Sequence, residues 1–399
     1  MLSGSRSEEP TAPAGIHQTR VVHELWSSRV SGTVAGPLGS ANRSRTSVTY
    51  PFASDAALRD SYVNPFGFMR LGRVLEDLDA LAGTIAYKHC DAPATTDSPL
   101  HIVTASVDRI TLSHRANLRD DMVLSGSVSW TGNSSMEIAM RATSCWAKEP
   151  WLEANFTFVA LREGKAARIA PLKPETDDER AAFEAGAARA EAKRALRKQQ
   201  KEVASDFSGA AGSAVDVAEL LRVGRVMSHL PSLPNDGTVM MSSTSLSNCL
   251  LAQPQQRNTA GRIFGGFLMR RAFELAFSTA YVFAGAAPRL CLEVDEVVFR
   301  KAVEVGAFLK FESCVLYAVP AESAEVHVEV EAHVVDVGGR RTTLANIFAF
   351  TFIFDDGVEL RKVLPASEEE ATRIQKRVAA NEAQVSTQAL HRMQAVVRL

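Results

Sequence analysis

Apolar and polar residues alternate along three stretches of the first half of the chain: through Met122, Leu124, Val128 and Trp130, through Met136–Ala142, and through Asn155–Leu161. Period-two alternation sends one set of side chains to each face of an extended chain, so each stretch predicts a half-buried strand. The second half repeats the pattern through Leu309, Phe311, Val315 and Tyr317, then Val326–Ala332, then Ile347–Ile353. Ahead of each strand set the period changes. Arg73–Ala86 and Phe267–Ala280 read as helices apolar on one face, which must lie against a sheet.

The halves also match residue by residue. Asn64 is followed by Gly67 and Gly72, and Asn258 by Gly261 and Gly266, at the same offsets, and each turn runs into its helix. Downstream, Val107, Asp108 and Ile110 match Val294, Asp295 and Val297, and the strands follow in the same order. An ordered series of matches is an internal repeat. Each copy reads strand, Gly-rich turn, one long helix, then long antiparallel strands. This predicts an α+β fold in which a curved antiparallel sheet wraps one helix.

The expected division is a disordered tail or presequence over 1–45, a first domain over 46–173, a charged helical linker over 174–235, a second domain over 236–366, and a C-terminal helix over 367–399. The linker begins acidic (Glu175, Asp177, Asp178, Glu179) and turns basic (Lys193, Arg194, Arg197, Lys198, Lys201), a polarity that suits the helix dipole and predicts a solvated helix. In the tail, Arg6, Arg20, Arg29, Arg43 and Arg45 have presequence character, which Glu8, Glu9 and Glu24 dilute.

Charge and cysteine usage narrow the function. Lysine and arginine total 44 against 46 acids, so the chain lacks the basic excess of a nucleic-acid binder. No apolar run approaches the ~20 residues of a membrane span. Five scattered cysteines, none in a CxxC pair, argue against a disulfide framework and for a reducing compartment. No His/Cys/Asp cluster has metal-ligand spacing, so no metal is expected.

The turn Asn258-x-x-Gly261-x-x-Phe264-Gly265-Gly266, with the helix after it, resembles the hotdog acyl-CoA thioesterases. Arg70–Gly83, Ile85–His89, Tyr50-Pro-Phe and Leu58–Asn64 are similar to its mitochondrial double-hotdog, acyl-CoA thioesterase 9-like branch. The resemblance covers roughly residues 45–370. It implies tandem (double) hotdog domains with active sites between them, hydrolysis of fatty acyl-CoA to free fatty acid and coenzyme A, and no cofactor beyond the coenzyme A of the substrate. It also implies a homo-oligomer, a trimer of such chains, and a mitochondrial location, with the cytoplasm as the alternative.

In the family motif the turn Asn acts with a helix acid fifteen positions on. Asn64 has Asp79 at that offset, whereas Asn258 has Phe273, which cannot move a proton. If the helices pack as a pseudodimer, each site takes its Asn from one half and its acid from the other. Asp79 with Asn258 is then complete and Asn64 with Phe273 is degenerate, giving one working site per chain. Thioester hydrolysis needs an activated water and a donor for the thioester oxygen. Asp79 is expected to activate the water, Asn258 to orient it or polarise the thioester, and Gly266, beside Gly265, to offer a helix-start N–H to the oxyanion.

On a helical wheel Leu75, Ala82, Gly83 and Ala86 fall within about 60° of Asp79, so Asp79 should point into packed structure, where burial raises its pKa. Glu76, about 60° away, is the backup acid; Asp77, about 160° away, should face out. Glu274 is the acid nearest the degenerate site, and His89 reads as structural. Arg262 and Arg300 are candidates for the coenzyme A phosphates, with plain surface charge as the competing reading. Two other function classes compete: a non-catalytic acyl-CoA-binding sensor or scaffold, and a hotdog enoyl-thioester hydratase, which would need a histidine at the turn or helix site.

Overall fold

The structure, a computed structural model, describes residues 39–90, 100–108, 110–145, 149–199, 215–230, 237–258, 261–294, 297–319 and 324–397, without the side chains of 196–199, 298 and 383–397. Arg6, Glu8, Glu9, Arg20, Glu24 and Arg29 of the expected presequence therefore lie outside the described residues, as do Lys201 and Asp295.

The first half contributes β1 (Thr46–Tyr50), a central helix (Leu71–Cys90), β2 (His101–Val107), β3 (Ile110–Leu112), β4 (Met122–Thr131), β5 (Ser135–Ser144), β6 (Leu152–Arg162) and the short β7 (Lys165–Ala166). After β8 (Thr238–Met240), the second half repeats the scheme. It has β9 (Leu246–Leu251), a central helix (Gly265–Ala284), β10 (Leu290–Val294), β11 (Val297–Val298), β12 (Phe308–Val319), β13 (Glu325–Asp336) and β14 (Arg341–Ile353). β15 (Lys362–Leu364) pairs in parallel with β8. Within each half the strand order is the same, β1-β4-β5-β6-β3 and β9-β12-β13-β14-β10. The alternating stretches of the sequence fall within β4, β5, β6, β12, β13 and β14.

One sheet runs through both halves. β3 pairs with β10, Thr111 opposite Glu293, and β2 pairs with β11, Val107 opposite Val297. The repeat extends to the irregularities. β4 shifts register between Val128 and Trp130, and β12 between Val315 and Tyr317. β2 shifts between Thr104 and Ser106, and β10 between Cys291 and Glu293.

The core lies between the sheet and the two central helices. Leu75, Leu78, Leu81 and Ile85 of the first helix are fully buried, as are Phe348, Phe350 and Phe352 of β14 beneath the second. Each such side chain contributes roughly 1.5–3 kcal/mol. The helices meet at glycines. A Cβ on Gly72 would come within 3.3 Å of Arg270 Cγ, and one on Gly266 within 3.0 Å of Glu76 Cα. Beside that contact, Arg270 pairs with the buried Glu76 at 3.0 Å.

Three expectations need correction. Residues 40–44 are not tail: Ala41–Ser44 is a helical turn, and Ser44 Oγ accepts the Val128 N–H at 3.1 Å. The linker helix (Asp177–Gln199) is not simply solvated. Arg189 pairs with the buried Glu137 of β5 at 2.6 Å, Lys193 pairs with Asp108, and Gly186 sits against Trp130. The C-terminal helix (Glu368–Val397) is seated in the same way, with Arg373 on Glu329 at 2.6 Å and Arg377 on Glu293 at 3.0 Å. Asp77, expected to face out, is fully buried and accepts the hydroxyls of Tyr50 (3.0 Å) and Tyr62. The wheel assumed one buried face, but this helix is enclosed on nearly all sides.

Candidate active site between the two central helices

Asp79 is buried and lies halfway along the first central helix. The second central helix starts beside it. Gly266 donates its N–H to Asp79 Oδ2 at 2.7 Å, and Thr104 of β2 donates its hydroxyl to Oδ1 at 3.0 Å. Gly266 is the second residue of its helix, so its N–H has no intrahelical acceptor and sits at the positive end of the dipole. Both carboxylate oxygens thus act as acceptors.

Asn258 lines the same small cavity, of about 40 Å³, with Asp79, Gly83, Tyr87, Thr104 and Gly265. Its Oδ1 accepts the Arg262 N–H at 3.1 Å, closing the turn before the helix. The Asn258 amide also carries an NH₂, a donor. Both glycines sit where a side chain would be crowded. A Cβ at 265 would stand 3.1 Å from Asp79 Oδ2, and one at 266 would stand 2.8 Å from Phe264 Cε1 and 3.0 Å from Glu76 backbone atoms.

Asp79 and Asn258 thus line one cavity from opposite halves, with Gly265 beside them and Gly266 bonded to Asp79. Thr104 was missed. A threonine in an alternating strand carries no signal, and its aim depends on the register shift beside it, a common device next to active sites. The backup acid Glu76 is committed to Arg270; burial pushes its pKa up while Arg270 opposes this. His89 is fully buried, with Nε2 2.9 Å from the Ala170 carbonyl, as a structural histidine would be. Arg262 is exposed and pairs with Glu304 at 3.3 Å; Arg300 is exposed, and neither lines the two cavities described here.

The second combination also forms. Asn64 and Phe273 line a cavity of about 920 Å³ on the other side of the helix pair. Asn64 Oδ1 accepts the N–H groups of Phe66 (3.0 Å) and Phe68 (2.9 Å), as a turn residue would. The acid position is filled by the Phe273 ring, which packs on Phe350 and Phe352 at 5.6 and 5.9 Å between centroids. Glu274 is held by Arg70 at 2.5 Å and Arg270 at 3.2 Å. Cys291, at the position of Thr104 in the repeat, is a thiol whose pKa burial pushes well up. The larger cavity therefore lies on the side without the acid. Among the described residues, no group of three or more His, Cys, Asp or Glu is placed to hold a metal ion.

No protein-family model matches the sequence. Several curated proteins do. The chain is 43% identical over 394 residues to acyl-coenzyme A thioesterase 4, mitochondrial, of Humulus lupulus, covering 92% of this chain and 74% of that protein. It is 40% identical over 397 residues to acyl-coenzyme A thioesterase 2, chloroplastic, of the same plant, covering 92% and 90%. Acyl-coenzyme A thioesterase 9, mitochondrial, of Homo sapiens is 35% identical over 326 residues, covering 78% and 72%. Among solved structures, the 12:0-ACP thioesterase of Umbellularia californica aligns with 78% of this chain and 94% of its own, at a TM-score of 0.46 and 10% identity.

Proposed function

The chain belongs to the acyl-CoA thioesterases and hydrolyses acyl-CoA, and from that premise we propose that the reaction runs at the small cavity between the central helices, with Asp79 as general base. The observation that carries this reading is that Asp79, Gly265 and Asn258 line one cavity while the helix-start N–H of Gly266 holds the Asp79 carboxylate.

In this scheme Gly266 and Thr104 aim the Asp79 carboxylate, and a water beside it loses a proton to Asp79 as it attacks the thioester carbonyl. The oxyanion of the tetrahedral intermediate takes its donors from the Asn258 NH₂ and from Gly265 N–H, which has no carbonyl of its own helix to pair with. This assigns Gly266, first read as the oxyanion donor, to holding the base. Collapse breaks the C–S bond, and Asp79 returns its proton to the thiolate. Acyl-CoA and water become fatty acid and coenzyme A, and no metal or cofactor takes part. About 40 Å³ is room for a water and little more.

The cavity on the Asn64–Phe273 side has a phenyl ring where Asp79 stands in the first site, and Glu274 on its wall is held by Arg70 and Arg270, so one site works per chain. We further infer the division into two hotdog domains at about 46–173 and 236–366, a homotrimer of such chains, and a mitochondrial location. The last is supported by two relatives that are mitochondrial thioesterases by name, with the chloroplast as the competing address because a third is named chloroplastic.

The test is thiol release from short to long acyl-CoAs by wild type and Asp79→Asn. An Asn at 79 can accept from Gly266 and donate to Thr104 Oγ, so the fold should persist while proton transfer is lost. Turnover should fall by about 100-fold or more. A variant within a few-fold of wild type would overturn the assignment.

A further inference from the structure

The cavity of about 920 Å³ repeats the working site position by position. Asn64 stands where Asn258 does, Phe273 where Asp79 does, Tyr281 where Tyr87 does, and Cys291 where Thr104 does. Each pair shares its place in the repeat, including the register shift beside Thr104 and Cys291. What changed is the chemistry: a carboxylate became a phenyl ring, and a hydroxyl that held it became a thiol. What remained is the concavity, and it is more than twenty times larger than the cavity at Asp79.

A site that had lost its use along with its acid would be expected to fill, because closing an apolar void gains packing energy. This one is open, and its wall has two parts. The floor is apolar, formed by Leu112, Trp151, Phe273, Phe277 and Leu290. The rim carries the exposed side chains of Arg115, Arg119 and Arg289. Arg115 is fixed in place, its guanidinium 3.8 Å over the Phe68 ring. Of the acids on the wall, Glu274 is neutralised by Arg70 and Arg270 and Asp60 is exposed to solvent; Arg289 lies 3.7 Å from the exposed Asp355, a solvent-screened pair that a phosphate would have to displace. A rim of guanidinium groups above an apolar floor suits a ligand with phosphates at one end and a hydrocarbon at the other.

We propose that this cavity is a second, non-hydrolysing binding site for a coenzyme A thioester: the acyl group on the phenylalanine floor and the phosphates at Arg119 and Arg289. The proposal rests on the acyl-CoA reading of the chain but not on the role of Asp79. Each chain then holds two acyl-CoA molecules and turns over one.

The experiment is titration calorimetry of the full chain with a thioether analogue of a medium-chain acyl-CoA, which cannot be hydrolysed. Wild type and Asp79→Asn should each bind two equivalents per chain. Arg119→Glu/Arg289→Glu, which inverts the rim charge at exposed positions, should bind one and keep its kcat within twofold. Ser278→Trp, which fills the cavity from its wall, should do the same without changing charge. One equivalent or none in wild type overturns the proposal, as does a second equivalent that survives in both variants. An active Asp79→Asn protein would sink the catalytic assignment alone and leave the stoichiometry as evidence for the second site.

Discussion

Gly266→Ala tests the helix junction on which the site depends. The added Cβ would lie 2.8 Å from Phe264 Cε1 and 3.0 Å from both Glu76 Cα and Glu76 O. The Phe264 ring can turn away, but the Glu76 atoms are backbone, within a helix packed on its other sides. Reaching ordinary carbon contact at ~3.5 Å means moving one helix by about half an ångström. Overpacking of this kind costs roughly 1–3 kcal/mol, set against a helix-propensity gain for alanine of about 1 kcal/mol or less. The net loss is about 0–2 kcal/mol, a fall in Tm of up to roughly 8 °C at 2–4 °C per kcal/mol. The effect on rate should be larger. The same shift stretches the 2.7 Å bond from Gly266 N–H to Asp79. A hydrogen bond to a charged group contributes about 1.5–3 kcal/mol, so kcat should drop about 10- to 100-fold. Thermal melts and single-turnover thiol release read the two effects separately. In the Asp79→Asn background the same substitution should lower kcat little further, because the base it aims is gone. A Gly266→Ala enzyme with wild-type kcat and Tm, or one whose rate loss adds in full to that of Asp79→Asn, would refute the reasoning.

Thr104→Val removes the hydroxyl on Asp79 Oδ1 and should lower kcat about 10-fold or more with little change in KM, whereas Thr104→Ser should restore most of the rate. Arg270→Met strands Glu76 in the helix interface and should cost about 3–5 kcal/mol at pH 7 in urea melts. Burial already pushes the Glu76 pKa up, and without Arg270 it goes higher, so the loss should shrink as the pH falls toward 5 and the carboxyl protonates; equal losses at both pH values would exclude Glu76 as the charge responsible. His327, buried against Tyr317, Thr351, Asn381 and Glu325, has its pKa pushed down to about 3 by burial. Its contribution to stability is full above about pH 6.5 and is lost as the pH falls toward 3, since the unfolded chain takes up the proton first. Wild type should lose about 2 kcal/mol from this group between pH 7 and pH 5, and His327→Phe should not.

The repeat was legible because its signals are local. Alternation marks β4–β6 and β12–β14, and the matched glycine offsets mark the start of both helices. Once the halves were aligned, the Asn–acid spacing that the thioesterase resemblance implies left Phe273 without an acid and pointed to Asp79 with Asn258, and both line one cavity. The features that were missed depend on tertiary surroundings. Asp77 reads as a surface residue until two buried tyrosine hydroxyls are seen to satisfy it. Thr104 acquires its aim from a register shift that alternation does not reveal. Glu137 and Arg189 lie 52 positions apart, so nothing in the linker composition shows that its helix docks on the sheet. The large cavity at Phe273 is likewise a property of assembled walls.

The pair of Glu76 with Arg270 has a consequence for which halves can join. The two residues hold the same position in the repeat, three before Asp79 and three before Phe273, and they meet near the axis that relates the halves. Two first halves packed in this way would bring two buried carboxylates together, and two second halves would bring two guanidinium groups together. Only unlike halves place opposite charges in contact, so the position selects partners as well as binding them. That selection fixes the outcome of assembly inside a chain and between neighbouring chains. A pairing of first halves would build two Asn64–Asp79 sites, a pairing of second halves would build none, and the charge rule leaves one acid-bearing and one acid-free cavity in every pair.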